Sequence, residues 1–203
     1  MLSQLRPVLV MIALFTALTG IILPLGFTAF GSVVFPTTAG GSLIQRNGKI
    51  IGSALIGQNF TSDRYFHGRP SALMGTDPKD SSKQIATPYD ASESGASNLG
   101  PTSKALIDRV TADAAAAGAK PVPGDMVTTS ASGLDPDISP ETALRQADRV
   151  GKARNMSGDD IAALIHAHVQ NPALGFIGAP HVNVLELNMA LDAANTAKMV
   201  QIQ

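Results

Sequence analysis

Between residues 7 and 45 the chain carries no Asp, Glu, Lys, Arg or His, and within that run residues 7–30 are almost continuously apolar. At about 1.5 Å per residue a helix over this stretch reaches roughly 35 Å, enough to cross a hydrocarbon core of about 30 Å. A lone spanning segment has to be helical, because lipid offers no partner to an open backbone amide. Pro24 and Gly26 predict a kink or fraying towards its far end. A cleaved signal peptide would need a shorter apolar core, of about 7 to 15 residues, and a charged leader. Here the leader has only Arg6 and the free amine, although Thr37-Thr38-Ala39 imitates a cleavage site. Residues 1–34 therefore read as a retained membrane anchor and residues 35–203 as a soluble domain.

Beyond the anchor the periodicity changes. Residues 42–57 place Asn47-Gly48 between two short apolar-polar runs, which predicts a β-hairpin on a type I′ turn. Gly52 and Gly57 weaken the second strand and suggest a bulge or a close backbone approach there. Residues 71–100 are rich in Ser, Asp, Gly, Lys and Pro without a period, and read as a long loop. A helix is expected from Asn98 or Thr102 to about Ala117, with Gly118 as its stop. A short strand is expected at Met126-Val127-Thr128-Thr129 because of its β-branched residues. Ser139 as cap, Pro140 at the first position and Glu141 in the first turn predict a helix to about Ala153. Ser157-Gly158-Asp159-Asp160 opens another that must end before Pro172. Asn183 and Glu186 open a last helix whose Val184, Leu187 and Leu191 share one face, expected to pack on the sheet. The order of elements predicts a single small α+β domain behind one transmembrane helix.

Charge and composition narrow the function. Of 15 Lys and Arg only Arg6 precedes Arg46, so the soluble part carries 14 basic against 16 acidic residues, a formal charge of −2. With no Trp and two Tyr it also lacks stacking platforms, so nucleic acid is not an expected partner. Lys and Arg counts on the two sides of the anchor nearly cancel, but a long carboxy-terminal domain is translocated largely regardless of charge. The expected arrangement is amino terminus inside and domain outside. The absence of Cys fits an oxidising compartment. Along the anchor Ala13, Ala17 and Gly20 fall at i, i+4 and i+7, a small-residue face on which another helix can pack.

Candidate chemistry concentrates in residues 58–70, where Phe60, Tyr65, Phe66, His67 and Arg69 crowd together as a partner or ligand surface. Asn98, Ser130, Ser132, Asp135 and Asp137 join the candidate set. No catalytic residue and no metal ligand set emerges. There is no Walker phosphate loop, no D-K-T-G phosphorylation sequence and no G-x-S-x-G elbow. Asp135, Asp137, Ser139 and Glu141 alternate like the start of a calcium loop, but Pro140 stands where the turn wants Gly and Gln146 where a bidentate Glu is wanted. Capping and turn formation account for them. His166 and His168 point about 200° apart on a helix and cannot share a metal.

Five ordered blocks resemble one family. They are Gly52-Ser53-Ala54-Leu55-Ile56-Gly57-Gln58, Tyr65-Phe66-His67-Gly68-Arg69-Pro70-Ser71, Ser97-Asn98-Leu99-Gly100-Pro101-Thr102, residues 127–140 and residues 183–188, all behind an amino-terminal helix. Together they are similar to the C subunits of the Kdp-type potassium-transporting P-type ATPases of bacteria. Ala96 and Ala131 replace a usual Gly, and Ser103 a usual Asn, departures that bear on local backbone only. The resemblance implies a non-catalytic inner-membrane subunit. Its expected partners are the potassium-translocating, ATP-hydrolysing and small membrane subunits. It implies too that potassium is the transported ion, that no cofactor is tightly bound, and that the chain raises the pump's affinity for ATP as a catalytic chaperone. A periplasmic domain can do so only by favouring one pump conformation, which makes direct ATP contact the weaker expectation. The competing class is a membrane-tethered solute-binding or hydrolytic domain using Tyr65, His67, Arg69 and Asp135.

Overall fold

The structure, a computed structural model, describes residues 4–118 and 121–201, with side chains up to residue 194 in the last helix. The first three residues of the expected anchor and the last two of the expected domain lie outside the described residues. The chain divides into two compact units, Met1–Ser53 and Ala54–Gln203.

The first unit holds one continuous apolar helix, Leu5–Val34, long enough to span a membrane. It consists of α1 (Leu5–Ala17), a π-helical turn (Leu18–Ile22) and α2 (Leu23–Val34). The π turn is where the effect of Pro24 is absorbed. Proline has no amide to donate, and its ring would collide with the carbonyl of Gly20 in a regular helix. Widening the turn just ahead lets the Leu23 amide reach back five residues to Leu18 O and relieves that collision. The expected kink thus takes the form of a wider turn, which also shifts Gly20 around the axis relative to Ala13 and Ala17. The hydroxyls of Thr19, Thr28 and Ser32 donate to the carbonyls four residues back at 2.7–2.8 Å, so these polar groups suit an apolar surrounding. After a single turn, α3 (Pro36–Ala39), strands β1 (Leu43–Arg46) and β2 (Lys49–Ser53) form the predicted hairpin. Asn47 and Gly48 both have positive φ, 53° and 75°, as a type I′ turn requires. The register slips between Ile44 and Gln45, a bulge beside Gly52.

The second unit is built around a three-stranded antiparallel sheet in the order β5 (Asp137–Ile138), β7 (His181–Asn183), β6 (Val169–Gln170). Three helices cover it: α6 (Pro140–Arg154), α7 (Gly158–Ala167) and α8 (Val184–Gln201). Their caps are those the residue types predict. Ser139 Oγ accepts from Thr142 N–H and Ser157 Oγ from Asp160 N–H, both at 3.1 Å. Asn155 ends α6 in the left-handed conformation, φ 55°. Val184, Leu187 and Leu191 are all buried, and with Ile138, Val150, Ile161, Ile165 and Val182 they form the core around Phe66.

Two expectations change. Residues 74–86 are no featureless loop but a second hairpin, β3 (Met74–Asp77) and β4 (Asp80–Ala86). β4 is exposed along almost its whole length, so nothing in its side chains alternates. In place of a strand at Met126–Thr129 there is one helical turn, α5 (Gly124–Val127). Asp125 in that turn accepts hydrogen bonds from Ser139 N–H (2.7 Å), Ser139 Oγ (3.1 Å) and Thr142 Oγ1 (2.7 Å), so contacts with α6 outweigh β propensity. Helix α4 (Lys104–Ala116) has Ser103, rather than Asn98 or Thr102, at its cap position and ends ahead of Gly118, φ 84°.

Candidate functional site

Within the crowded stretch, no strand among the described residues pairs with residues 63–69, yet side chains bond most of their backbone. Asn188 of α8 accepts from Phe66 N–H at 2.8 Å and donates to Phe66 O at 3.0 Å. Gln146 of α6 does the same for His67, at 2.8 and 3.0 Å. Each amide bonds both backbone groups of one residue, as a neighbouring strand would. Arg149 donates to the carbonyls of Asp63 (2.9 Å) and Tyr65 (3.1 Å) and to Gln146 Oε1 (2.7 Å), which fixes the orientation of that amide. Arg154 donates to Arg64 O and Asp192 Oδ1 and lies over the Tyr65 ring, 4.8 Å from its centroid. The Tyr65 hydroxyl reaches the same Asp192 carboxylate at 3.3 Å. Phe66 is thereby pinned at the centre of the core.

Arg69 closes the segment. Its Nη1 pairs with Asp135 Oδ2 at 2.9 Å, and its Nη2 reaches Thr128 Oγ1 and Thr129 O at 3.3 Å. The carbonyl of Arg69 accepts from the Tyr89 hydroxyl at 2.7 Å. Burial, reinforced by the Asp135 charge, pushes that phenol up to about 12, so it stays a donor at any physiological pH. Two glycines make room for the ring. A Cβ on Gly57 would come within 2.5 Å of Tyr89 Cε1 and 2.6 Å of Asp135 O, and one on Gly68 would overlap the Tyr89 hydroxyl. Gly57 is thus the close approach that its place in the sequence suggested. Arg69 also borders two shallow clefts. One, of about 410 Å³, is lined by Asn59, Phe60, Thr61, His67 and Tyr89. The other, of about 320 Å³, is lined by Asp125, Asp135, Asp137, Glu141 and His181.

The other candidate residues serve turns and strand ends. Ser130 is buried, and its Oγ accepts from Gly133 N–H at 2.8 Å; Ser132 Oγ accepts from Leu134 N–H at 3.1 Å. Asp135 Oδ1 accepts from Asp137 N–H at 3.1 Å. Asp137 accepts from Asn183 Nδ2 at 3.3 Å, and burial holds its carboxyl above the usual range. Asn98 is exposed with φ 53°. The His67 ring donates from Nε2 to Ser62 O at 3.1 Å, and half-burial lowers its pKa. Tyr65, His67 and Arg69 thus alternate along one segment; at its Arg69 end Asp135 pairs with Arg69, Asp137 lines a cleft with it and Ser130 N–H bonds Pro70 O, whereas Ser132 O accepts from Gly95 N–H. His67 and Ser130 each bond elsewhere, so no base meets a nucleophile in this set. Among the described residues no group of three His, Cys, Asp or Glu is placed to hold a metal ion.

The profile of the family described as K+-transporting ATPase, c chain, matches residues 5–193. The chain belongs to that family. It is 54% identical over 198 residues to the potassium-transporting ATPase KdpC subunit of Bradyrhizobium diazoefficiens, covering 96% of this chain and 98% of that one. It is 55% identical over 198 residues to the KdpC subunit of a Rhodopseudomonas palustris strain, 96% and 100% of the two chains. To that of Methylobacterium nodulans it is 55% identical over 196 residues, 95% and 98%. With its long apolar helix near the amino terminus this KdpC-family chain is a membrane protein and a subunit of a potassium-transporting ATPase. The matched span takes in the anchor, the clamped segment and both clamping amides.

Sequence reasoning missed Gln146, Arg149, Arg154, Asn188 and Asp192. A signal for two of them was present. Gln146 and Arg154 interrupt the face of α6 that carries Ala143, Ala147 and Val150, and a polar side chain on a buried face needs a partner.

Proposed function

We propose that this chain is a non-catalytic accessory subunit of an ATP-driven, high-affinity potassium uptake pump of the bacterial inner membrane. It supports assembly and raises the ATP affinity of the ATP-hydrolysing subunit. Its soluble domain is periplasmic, and its partners are the potassium-translocating, the ATP-hydrolysing and the small membrane subunit. The observation that carries this reading is the internal use of the polar groups in the crowded segment. Arg69 is paired with Asp135, and Tyr65 and His67 are tied down within their own neighbourhood. Such groups shape a surface rather than transform a substrate.

From the periplasm, an effect on ATP must pass through the pump's conformational equilibrium. By linkage, nucleotide then changes the docking of this chain by the same factor. The test is reconstitution of the pump with and without this chain, measuring potassium-dependent ATP hydrolysis against ATP concentration. A lower half-saturating ATP concentration in its presence supports the reading. Equal curves, or turnover by the isolated chain, would sink it. Sidedness is checked on whole cells, because a single Ser92→Cys in this Cys-free chain is labelled by an impermeant maleimide only if the domain is outside.

A further inference from the structure

The turn between β6 and β7 departs from the rest of the second unit. Residues 171–180 contain no charged side chain, and Leu174, Phe176 and Ile177 are 83%, 76% and 55% exposed. Isolated exposed apolar residues are ordinary, but three at one tip are not. The tip is also rigid. Ala173 and Ile177 exchange both backbone hydrogen bonds, at 3.0 and 2.9 Å, and Gly175 N–H donates to Pro172 O at 3.0 Å. Leu174 is held at φ 54°, a conformation a leucine seldom adopts, although its side chain contributes nothing to the core. At the base of the turn β6 and β7 pair within the central sheet, where Val182 is fully buried. The fold therefore presents a pre-organised apolar knob.

We propose that this knob seats in a neutral, apolar hollow on another protein subunit of the same ATPase. The inference rests on the subunit reading above. Charge decides between a protein and a lipid surface. Segments that settle on bilayers pair such apolar side chains with Lys or Arg for the anionic headgroups. Residues 171–180 have neither Lys nor Arg. The first ionisable side chains on either side, His168 and His181, each bond a carbonyl of their own segment, at 2.8 and 2.9 Å. A small, rigid anchor of Leu, Phe and Ile with no Asp, Glu, Lys or Arg between Asp160 and Glu186 matches a dry protein pocket, where rigidity lowers the cost of binding.

The experiment places p-benzoylphenylalanine at Phe176 in the full-length chain, expressed with the other pump subunits, and irradiates before purification. The expected product is a cross-link to one apolar patch of another pump subunit, identified by peptide mapping. In parallel, Leu174→Asn with Phe176→Ser should lower recovery of those subunits in mild detergent about tenfold. The melting temperature of the variant chain should stay unchanged. A lipid adduct, no adduct, or undiminished recovery with the double variant overturns the knob while the wild-type chain still brings down its partners. If the wild-type chain recovers no ATPase subunit, the subunit reading falls, and the knob with it.

Discussion

Residues 63–69 and the β6–β7 turn make opposite use of their composition. The first is aromatic and ionisable, the type of stretch that reads as a binding surface, and most of its polar groups are bonded within the domain. The second contains only Ala, Leu, Gly, Phe and Ile at its tip, residue types expected inside, and it is exposed. Polar atoms commit a segment to whatever partners the fold supplies. Apolar side chains left outside commit it to nothing in the monomer. The contrast teaches that hydrogen-bond capacity already used is a better guide to a segment's task than its residue types.

The comparison breaks most readily at Asn188. Asn188→Ala would leave the buried Phe66 N–H and C=O without their partner, at a cost of about 3 kcal/mol, read as a fall in the urea midpoint with an unchanged slope. A loss below about 1 kcal/mol would mean that water or a neighbouring side chain replaces the amide. Gly68→Ala comes next, at about 2 kcal/mol, because its methyl overlaps the Tyr89 hydroxyl. Tyr89→Phe removes that hydroxyl together with its bond to Arg69 O, so the double variant should lose less than the two single losses added. Strict additivity would show that Gly68 matters for another reason.

His67 gives a smaller, pH-dependent effect. Burial lowers its folded pKa below the ordinary value of 6.5, so the unfolded chain takes up the proton first. The contribution to stability is complete above about pH 6.5 and is lost as pH falls towards the folded pKa. His67→Gln should flatten the stability profile over that window, and an unchanged slope would place the titration elsewhere. At the far end of the scale, the paired Leu174→Asn and Phe176→Ser should move stability by less than about 0.5 kcal/mol. A large loss would make the knob part of the domain's own architecture.

Much of the fold was legible because its signals are local. The anchor follows from a charge-free run, the first hairpin from Asn47-Gly48, and α6, α7 and α8 from Ser139, Ser157 and Asn183. The β3–β4 hairpin was hidden because its exposed residues have no period. The turn at Asp125 was hidden because the groups that hold it lie 14 and 17 residues further along the chain. At the candidate site, the crowding of Tyr65, His67 and Arg69 was visible, but not what their backbone is bonded to.

By itself the sequence determined the family, the membrane helix, the helix caps and the residue types available to the core. These depend on composition and on spacings of a few residues. Only the tertiary structure decided that Gln146 and Asn188 stand in for strands, that Gly57 and Gly68 exist for Tyr89, and that Leu174 and Phe176 face outward. Those outcomes join residues up to 122 positions apart, and no local pattern records which buried amide meets which carbonyl.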